Sequence, residues 1–533
     1  MKSSRLSSFF LLLLCVIYDI TPLIAQVKPD SLRYIIDHEQ STSANRMNAL
    51  FDLSQYYLLK KADSSRFFAE KHITLARSQE NSAEEARAYQ MLASYHVHIN
   101  EFKEAIPILH QGLKSSQQAN DSTYLARILN QLGGAFTSVK QLDSGQFYYK
   151  ETISISQSIG DRQTSVSAIA GLGSVALNLG DFDFAMRNFE KALLVFKEIK
   201  DKNGEAKMYG NMAYLFVRRS EYSKAIELCH KSLEIFKELG DKIGQASSLN
   251  KIGLSHYNNK ENEKAVKYFT KSLALYEEEE NNFGIAKVQT SLGLVYGMMG
   301  NLPLALENYQ KSILLKKELG DKSGAAIAQN NLANLYNIHE EFETAIKYYQ
   351  ESLEVFESIG NKYAIANIMG SLSVTYLNLE QDSLALQYSQ KCLKLAKELK
   401  VEQLEASAWT AIANIYKKEG KIKQAKEAYQ ASISIAERKG IPDNLSDAYS
   451  GLASLSLQEE DWVNAQIYAK KGLKWAQKGN EPAKIVSVSL ALWKSQEALG
   501  LKAKAFDKLK LYYEMRDSLD NLENKKSVIR YQL

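Results

Sequence analysis

Hydrophobic and polar residues follow one another along the chain with the spacing of buried helix faces. In residues 243–259, apolar or small side chains recur every three or four positions, at Ala246, Leu249, Ile252, Gly253 and His256. Residues 262–279 show the same spacing after a short polar turn. The pattern predicts a pair of helices, each of roughly 16 to 18 residues, that pack through their apolar faces.

The same helical pair recurs with a period of 40 residues. The stretch ELGDKIGQA at 238–246 returns as ELGDKSGAA at 318–326, and variants stand at 199–206, 279–286 and 358–366. An alanine keeps the same period, at Ala105, Ala185, Ala225, Ala265, Ala305, Ala345, Ala385, Ala425, Ala465 and Ala505, with Gly145 as the one substitute. A fixed period indicates about twelve stacked units, each packed only on its neighbours.

The glycine and aspartate of the recurring junction have separate predicted roles. Gly240 stands where a left-handed residue ends a helix. Asp241 stands where its carboxylate can accept hydrogen bonds from the first amides of the next helix. A phosphate-binding loop would follow a strand rather than a helix, so the motif predicts helix boundaries and no ligand. The alanine column marks the closest crossing of the two helices.

These columns resemble the tetratricopeptide repeat. Residues 292–313 and 332–353 match its Leu-Gly or Leu-Ala and aromatic positions in the first helix, and its Ala, aromatic and small-Leu positions in the second. The 40-residue unit is similar to the variety found in the exported region of Bacteroidetes-type sensor proteins. The resemblance implies an all-α, right-handed superhelical solenoid of about twelve helix-turn-helix units.

The resemblance and the ends of the chain together divide it into four predicted segments. Residues 1–25 have the basic start, short apolar core and small-residue cleavage point of a signal peptide. A lead-in helix at 26–42, the repeat array at 43–517 and a helical tail at 518–533 follow. The mature chain is therefore expected outside the cytoplasm, in a bacterial periplasm or cell envelope, with no stable membrane span.

Composition and motifs exclude several classes of function. The 66 basic and 62 acidic residues nearly balance, which argues against a nucleic-acid partner. No histidine or cysteine spacing typical of a metal site, no nucleophile elbow and no P-loop is present. We therefore expect a protein that is not an enzyme and that has neither cofactor nor metal. Cys229 and Cys392 occupy positions where other units carry core residues.

The strongest functional signal lies on the first helices, which line the concave surface in arrays that this chain resembles. Residues predicted to face inward are Asn250, Tyr257, Asn258, Asn330, Asn334, Asn337, Asn378 and Asn414. Repeats similar to these use inward asparagines to hold the backbone of an extended peptide, since an amide both donates and accepts. The alternative, that asparagine is simply soluble on a solvated face, stays open. Earlier units place Arg87, Arg127, Ser174, Lys207 and Arg218 inward, which suggests an acidic ligand there.

The sequence favours an exported, non-enzymatic scaffold that holds a protein or an extended peptide on its concave face. The alternative is a periplasmic sensory component, related to histidine-kinase-type or transcriptional regulators, whose tail would form a dimerising coiled coil. The tail has Leu519 and Leu522 but no sustained heptads, so it discriminates poorly between the two. A purely structural spacer is a third interpretation.

Overall fold

A computed structural model describes residues 29–38, 41–58, 60, 62–439, 441–479 and 482–530. For residues 62, 439, 442, 443 and 518–530 the description covers the backbone alone. The predicted signal peptide, residues 1–25, lies outside the described residues. Of the predicted lead-in segment, the described part contains a short helix that precedes the array.

The regular secondary structure of the described residues is entirely helical. The helices are α1 Pro29–Asp37, α2 Ser43–Tyr57, α3 Ala62–Ser78, α4 Ser82–His98, α5 Phe102–Gln118, α6 Ser122–Ser138, α7 Leu142–Ser158, α8 Arg162–Leu179, α9 Phe182–Glu198, α10 Lys202–Arg218, α11 Tyr222–Glu238, α12 Lys242–Asn258, α13 Asn262–Glu278, α14 Asn282–Met298, α15 Leu302–Glu318, α16 Lys322–Ile338, α17 Phe342–Ser358, α18 Lys362–Asn378, α19 Asp382–Glu398, α20 Glu402–Lys418, α21 Ile422–Lys439, α22 Pro442–Gln458, α23 Trp462–Gly479, α24 Pro482–Ala498 and α25 Lys502–Arg530. From α2 onward they form twelve hairpins. The even-numbered helices are the first helices, and the odd-numbered helices are the second.

The hairpins belong to two compact units. The N-terminal unit ends at Ala328, and the C-terminal unit begins at Gln329. In both units a second helix packs on the first helix of its own hairpin and on that of the next, as α11 does on α10 and α12. The predicted array of two-helix units is thus confirmed.

The junction between hairpins works as its sequence predicts. Gly240 has a φ of +68°, and the carboxylate of Asp241 accepts a hydrogen bond from the amide of Gly244 at 2.8 Å. Other junctions place a non-glycine residue at the same left-handed position, such as Glu280 at +51°. Gly244 has a further role, because a Cβ atom there would lie 2.3 Å from the ring of Phe236. The start of α12 is therefore fixed by a cap and by contact with the preceding helix.

The alanine column marks the closest approach of the two helices in a hairpin. Ala265 and its equivalents from position 105 to position 465 are 0 % exposed, and Ala505 is 4 % exposed. At Gly145, which replaces alanine, a Cβ atom would lie 2.5 Å from Oγ1 of Thr137. The column therefore stays small because the crossing leaves no room for more atoms.

First helices occupy the inner side of each unit. Successive first helices contact one another, as α6 does with α8 and α10 with α12 in the N-terminal unit, and as α18 does with α20 in the C-terminal unit. No pair of second helices makes a comparable contact in the described part of the chain. A row of helices that is crowded on one side and spread on the other curves towards the crowded side. The first helices therefore form the concave face.

The N-terminal unit returns upon itself after little more than five hairpins. Lys60, in the turn after α2, forms an ion pair of 3.2 Å with Glu280, which lies 220 residues further along. The rings of His98 and Phe283 lie 3.9 Å apart, centre to centre. The Nδ2 group of Asn100 donates to Oδ1 of the buried Asp321 at 3.0 Å. These contacts join the edges of distant hairpins, so the first helices between them surround a common interior.

Candidate functional site

The C-terminal unit carries five of the predicted partner-binding asparagines. Three lie on α16, one on α18 and one on α20, and all are half-buried: Asn330, Asn334, Asn337, Asn378 and Asn414. Half-buried side chains on first helices combine a fixed position with some access to solvent. This face of the C-terminal unit is called the asparagine face below.

Two of these asparagines are held by buried tyrosines of the second helices. The hydroxyl of Tyr349 donates to Oδ1 of Asn334 at 2.6 Å, and that of Tyr429 donates to Oδ1 of Asn414 at the same distance. Both tyrosines are 0 % exposed. With Oδ1 occupied, each amide keeps its two N–H groups as donors. The arrangement therefore presents a donor suited to the carbonyl oxygens of an extended backbone.

The other asparagines of this face have different surroundings. Oδ1 of Asn337 accepts a hydrogen bond from Oγ1 of Thr375 at 2.9 Å, so this amide joins α16 to α18. Oδ1 of Asn330 is buried and has no hydrogen-bond partner among the described residues. A buried amide oxygen without a donor is costly, which makes Asn330 the position where a ligand N–H would be most stabilising.

The three predicted residues of the N-terminal unit are less accessible. Asn250 is 2 % exposed, and the Ser291 hydroxyl of the neighbouring first helix lies 3.5 Å from its Oδ1. Tyr257 is 8 % exposed. Asn258 is half-buried and donates to the carbonyl of Leu254 at 2.8 Å. Close packing of α12 on α14 thus leaves Asn258 as the member of this group that a partner reaches most easily.

Two histidines of the first helices contact a glutamate in the turn of their own hairpin. Nδ1 of His96 lies 2.9 Å from Glu101, and Nδ1 of His256 lies 2.5 Å from Glu261 at the equivalent position. The ring of His256 also stacks on Tyr268.

No group of three or more histidine, cysteine, aspartate or glutamate side chains suited to a metal ion is found in the described residues. None of the described helices is both long enough and apolar enough to cross a membrane.

A model of the tetratricopeptide repeat matches residues 163–398 in five overlapping segments, and a second model of the same repeat matches residues 406–439. Together the matches cover about half of the chain. The chain belongs to the tetratricopeptide repeat family. The resemblance inferred from the repeat columns is thereby confirmed, as is an all-α solenoid of about twelve helical hairpins.

Comparison with curated proteins finds no match. Solved structures similar to this tetratricopeptide repeat protein include a signal-transduction ATPase with a tetratricopeptide repeat sensor from Pyrococcus horikoshii, at 14 % identity and a TM-score of 0.47, over 85 % of this chain and 73 % of that one. A Rap protein complexed with competence and sporulation factor has 16 % identity and a TM-score of 0.46, over 67 % and 98 %. Aspartyl phosphate phosphatase F from Bacillus subtilis has 12 % identity and a TM-score of 0.42, over 67 % and 94 %. These values are too low to carry an argument about function.

Sequence reasoning missed the tyrosines that hold two of the asparagines in this repeat protein. The signal was present, because Asn334 and Asn414 occupy the same repeat position and a tyrosine follows each of them by 15 residues. In another unit both positions are apolar. Leu254 stands in place of the asparagine there, and Phe269 stands in place of the tyrosine. In these units the asparagine and the tyrosine are therefore present or absent together.

Proposed function

We propose that this tetratricopeptide repeat protein is a non-enzymatic scaffold whose asparagine face holds an extended segment of a partner protein. The observation that carries the proposal is the fixed orientation of Asn334 and Asn414 by buried tyrosine hydroxyls at 2.6 Å. An amide that is already ordered loses little conformational freedom when it binds. Contacts with backbone groups hold a segment without demanding one side-chain sequence.

The proposal is tested with peptides selected from a random dodecapeptide library on the full chain. Affinities are then measured by isothermal titration calorimetry for the original protein and for Asn330→Ala. A loss of about tenfold, 1.4 kcal/mol, is expected for one lost amide contact in a desolvated site. Selected peptides whose side chains are exchanged for alanine one at a time should keep most of their affinity.

A matched control is available on the second helices. Asn308 donates to the carbonyl of Leu304 at 2.8 Å, the same bond that Asn258 makes on a first helix. Asn308→Ala is expected to leave peptide affinity unchanged. If Asn308→Ala weakens binding as much as Asn330→Ala does, or if no peptide is selected, the asparagine face is not the binding surface.

Export of the protein is part of the same proposal and is supported by the sequence of residues 1–25. A basic start followed by a short apolar segment and small residues is typical of signal peptides. Expression in a bacterial host, followed by fractionation and sequencing of the mature N-terminus, tests it. A new terminus at residue 26 in the periplasmic fraction is the expected result, and an intact terminus in the cytoplasm contradicts it.

A sensory role is the second candidate, and the length of α25 favours it. This helix has 29 residues, whereas the other helices of the hairpins have 15 to 18. Such an extension suits the transmission of ligand binding to another protein. Deletion of residues 518–533 should then leave peptide affinity intact and abolish any ligand-dependent change in oligomeric state measured by sedimentation. If the peptide has the same effect on the sedimentation of the full chain and of the shortened chain, or no effect on either, this candidate is excluded.

A further inference from the structure

Five successive first helices of the N-terminal unit are poor in acidic residues and therefore carry an excess of positive charge. Helices α6, α8, α10, α12 and α14 carry eight lysines and arginines and one carboxylate, that of Glu205. The second helices between them, α7, α9, α11 and α13, carry ten basic and eleven acidic residues. The excess of positive charge is therefore confined to the helices that line the concave side. The near balance of charge over the whole chain conceals it.

Three of the eight basic residues are paired at the starts of their helices. Arg162 pairs with Glu198, and Lys242 pairs with Glu278 at 2.7 Å. Lys202 lies 3.2 Å from Glu205, which uses the one carboxylate of these helices. The other five, of which Lys207 and Lys251 also have interaction partners within the protein, lie further along the helices and are exposed or half-buried: Arg127, Lys207, Arg218, Lys251 and Lys287. These five residues are called the basic face.

Basic groups from different hairpins lie close enough to affect one another. Nζ of Lys140, in the turn after α6, donates to Oδ1 of Asn178 at the end of α8. The pKa of Lys140 is lowered by burial and, to a smaller extent, by the charge of Arg218 at the end of α10. The side chain of Lys140 is nevertheless exposed to solvent. Because the charge of Arg218 acts on it, Lys140 is a neighbour of the basic face.

The return contacts of the N-terminal unit enclose this charge. The ion pair of Lys60 with Glu280 joins the first hairpin to the turn before α14, and the hydrogen bond of Asn100 to Asp321 joins the second hairpin to the turn before α16. A recess with protein walls concentrates the field of its charges more than an open surface does. An incoming chain with several carboxylates would therefore gain favourable interactions with several hairpins at once.

We infer that the basic face binds an acidic, extended segment of a partner protein. The inference rests on the proposed function, since it assumes that first-helix faces receive partner segments, and it adds a second site in the other unit. Carboxylates of the segment would pair with guanidinium and ammonium groups that stand on successive hairpins. The contribution of each pair is modest and depends on salt, so affinity comes from their number.

The test uses a fluorescein-labelled peptide of sixteen residues in which glutamate and serine alternate, and a second peptide with glutamine in place of glutamate. Binding to the full chain is followed by fluorescence anisotropy at several salt concentrations. The glutamate peptide should bind at least about tenfold more tightly at low salt, and the preference should shrink as salt is raised. Equal binding of the two peptides, or no binding of the glutamate peptide, overturns the inference.

Variants locate the site. Arg127→Gln, Arg218→Gln and Lys287→Gln combined should weaken the glutamate peptide about tenfold or more and flatten its salt dependence. The matched control combines Lys150→Gln, Lys191→Gln and Lys271→Gln, which are exposed on second helices and should leave affinity unchanged. Circular dichroism checks that both variants keep the helix content of the original chain. Equal losses in the two variants would show attraction by net charge alone and would overturn the inference.

Three further measurements separate the alternatives. A shallow cleft among α23, α24 and α25 is lined by four lysines, including Lys504 and Lys508, so Lys504→Gln with Lys508→Gln should have no effect on the glutamate peptide. A labelled sixteen-residue oligothymidine should bind more weakly than the glutamate peptide, and tighter binding would make the face a nucleic-acid site instead. A variant of the asparagine face should keep full affinity for the glutamate peptide. Failure of one proposal can therefore be distinguished from failure of the other.

Discussion

Replacing Tyr349 by phenylalanine removes the hydroxyl that joins the two helices of one hairpin. The hydroxyl lies 2.6 Å from Oδ1 of Asn334, and Tyr349 is 0 % exposed. In this variant, Oδ1 of the half-buried Asn334 amide has lost its hydrogen-bond donor. Because a deprived acceptor costs more than a typical hydrogen bond contributes, the free energy of unfolding should fall by about 1–2 kcal/mol.

The chain itself contains an apolar version of this pair. Leu254 and Phe269 stand 80 residues before Asn334 and Tyr349, at the same two repeat positions, and are 5 % and 1 % exposed. Replacing both partners by apolar side chains of similar shape is close to neutral. Asn334→Leu combined with Tyr349→Phe should therefore return the free energy of unfolding to within about 1 kcal/mol of the original value.

Urea unfolding followed by circular dichroism gives the free energies of the single and double variants. Because repeat arrays need not unfold as one unit, amide exchange in α16 and α17 is followed as a local measure. The pair Tyr429 and Asn414 serves as a second instance and should behave alike. Two results would show that this hydrogen bond does not stabilise the hairpin. One is an unchanged free energy of unfolding in Tyr349→Phe. The other is a double variant whose loss of free energy equals the sum of the losses in the two single variants. The stable double variant should also bind selected peptides less tightly, since it lacks the amide.

Three further predictions concern buried groups. Ala265→Leu should lower the free energy of unfolding by about 1–3 kcal/mol in the same urea experiment, because the helix crossing has no space for the longer side chain; an unchanged midpoint would contradict close packing there. Burial lowers the pKa of Lys316 to about 8, from 10.5 for an exposed lysine. Between pH 8 and 10 this lysine therefore binds fewer protons in the folded chain than in the unfolded chain, and its contribution to stability rises with pH. The buried thiols of Cys229 and Cys392 act in the opposite sense, so the test compares two chains rather than reading one slope. The free energy of unfolding should change less favourably with rising pH in Lys316→Met than in the original chain, and equal slopes would contradict the lowered pKa of Lys316. Burial also raises the pKa of the Cys229 and Cys392 thiols to about 12. Both should resist iodoacetamide until urea unfolds the chain, as mass spectrometry would show, and rapid labelling of the folded protein would contradict their burial.

The architecture of the repeat was readable from the sequence because its determinants are local. Gly240 and Asp241 end one helix and begin the next through bonds within a few residues, and these bonds form as expected. The column of Ala265 recurs often enough to show that its size is constrained. A period repeated about twelve times also averages out exceptions such as Gly145, so the number and length of the helices followed from the pattern alone.

The sequence located the predicted site residues on the first helices, but their surroundings came only from the tertiary structure. Asn250 and Asn330 occupy the same repeat position, yet Asn250 is 2 % exposed, whereas Asn330 is half-buried. The difference arises from how closely neighbouring first helices pack. The contact of Lys60 with Glu280 joins residues 220 positions apart and has no local signal at all. The packing of neighbouring first helices and the contact of Lys60 with Glu280 both depend on the small rotation between successive hairpins. This rotation accumulates along the array and is not encoded in any single unit.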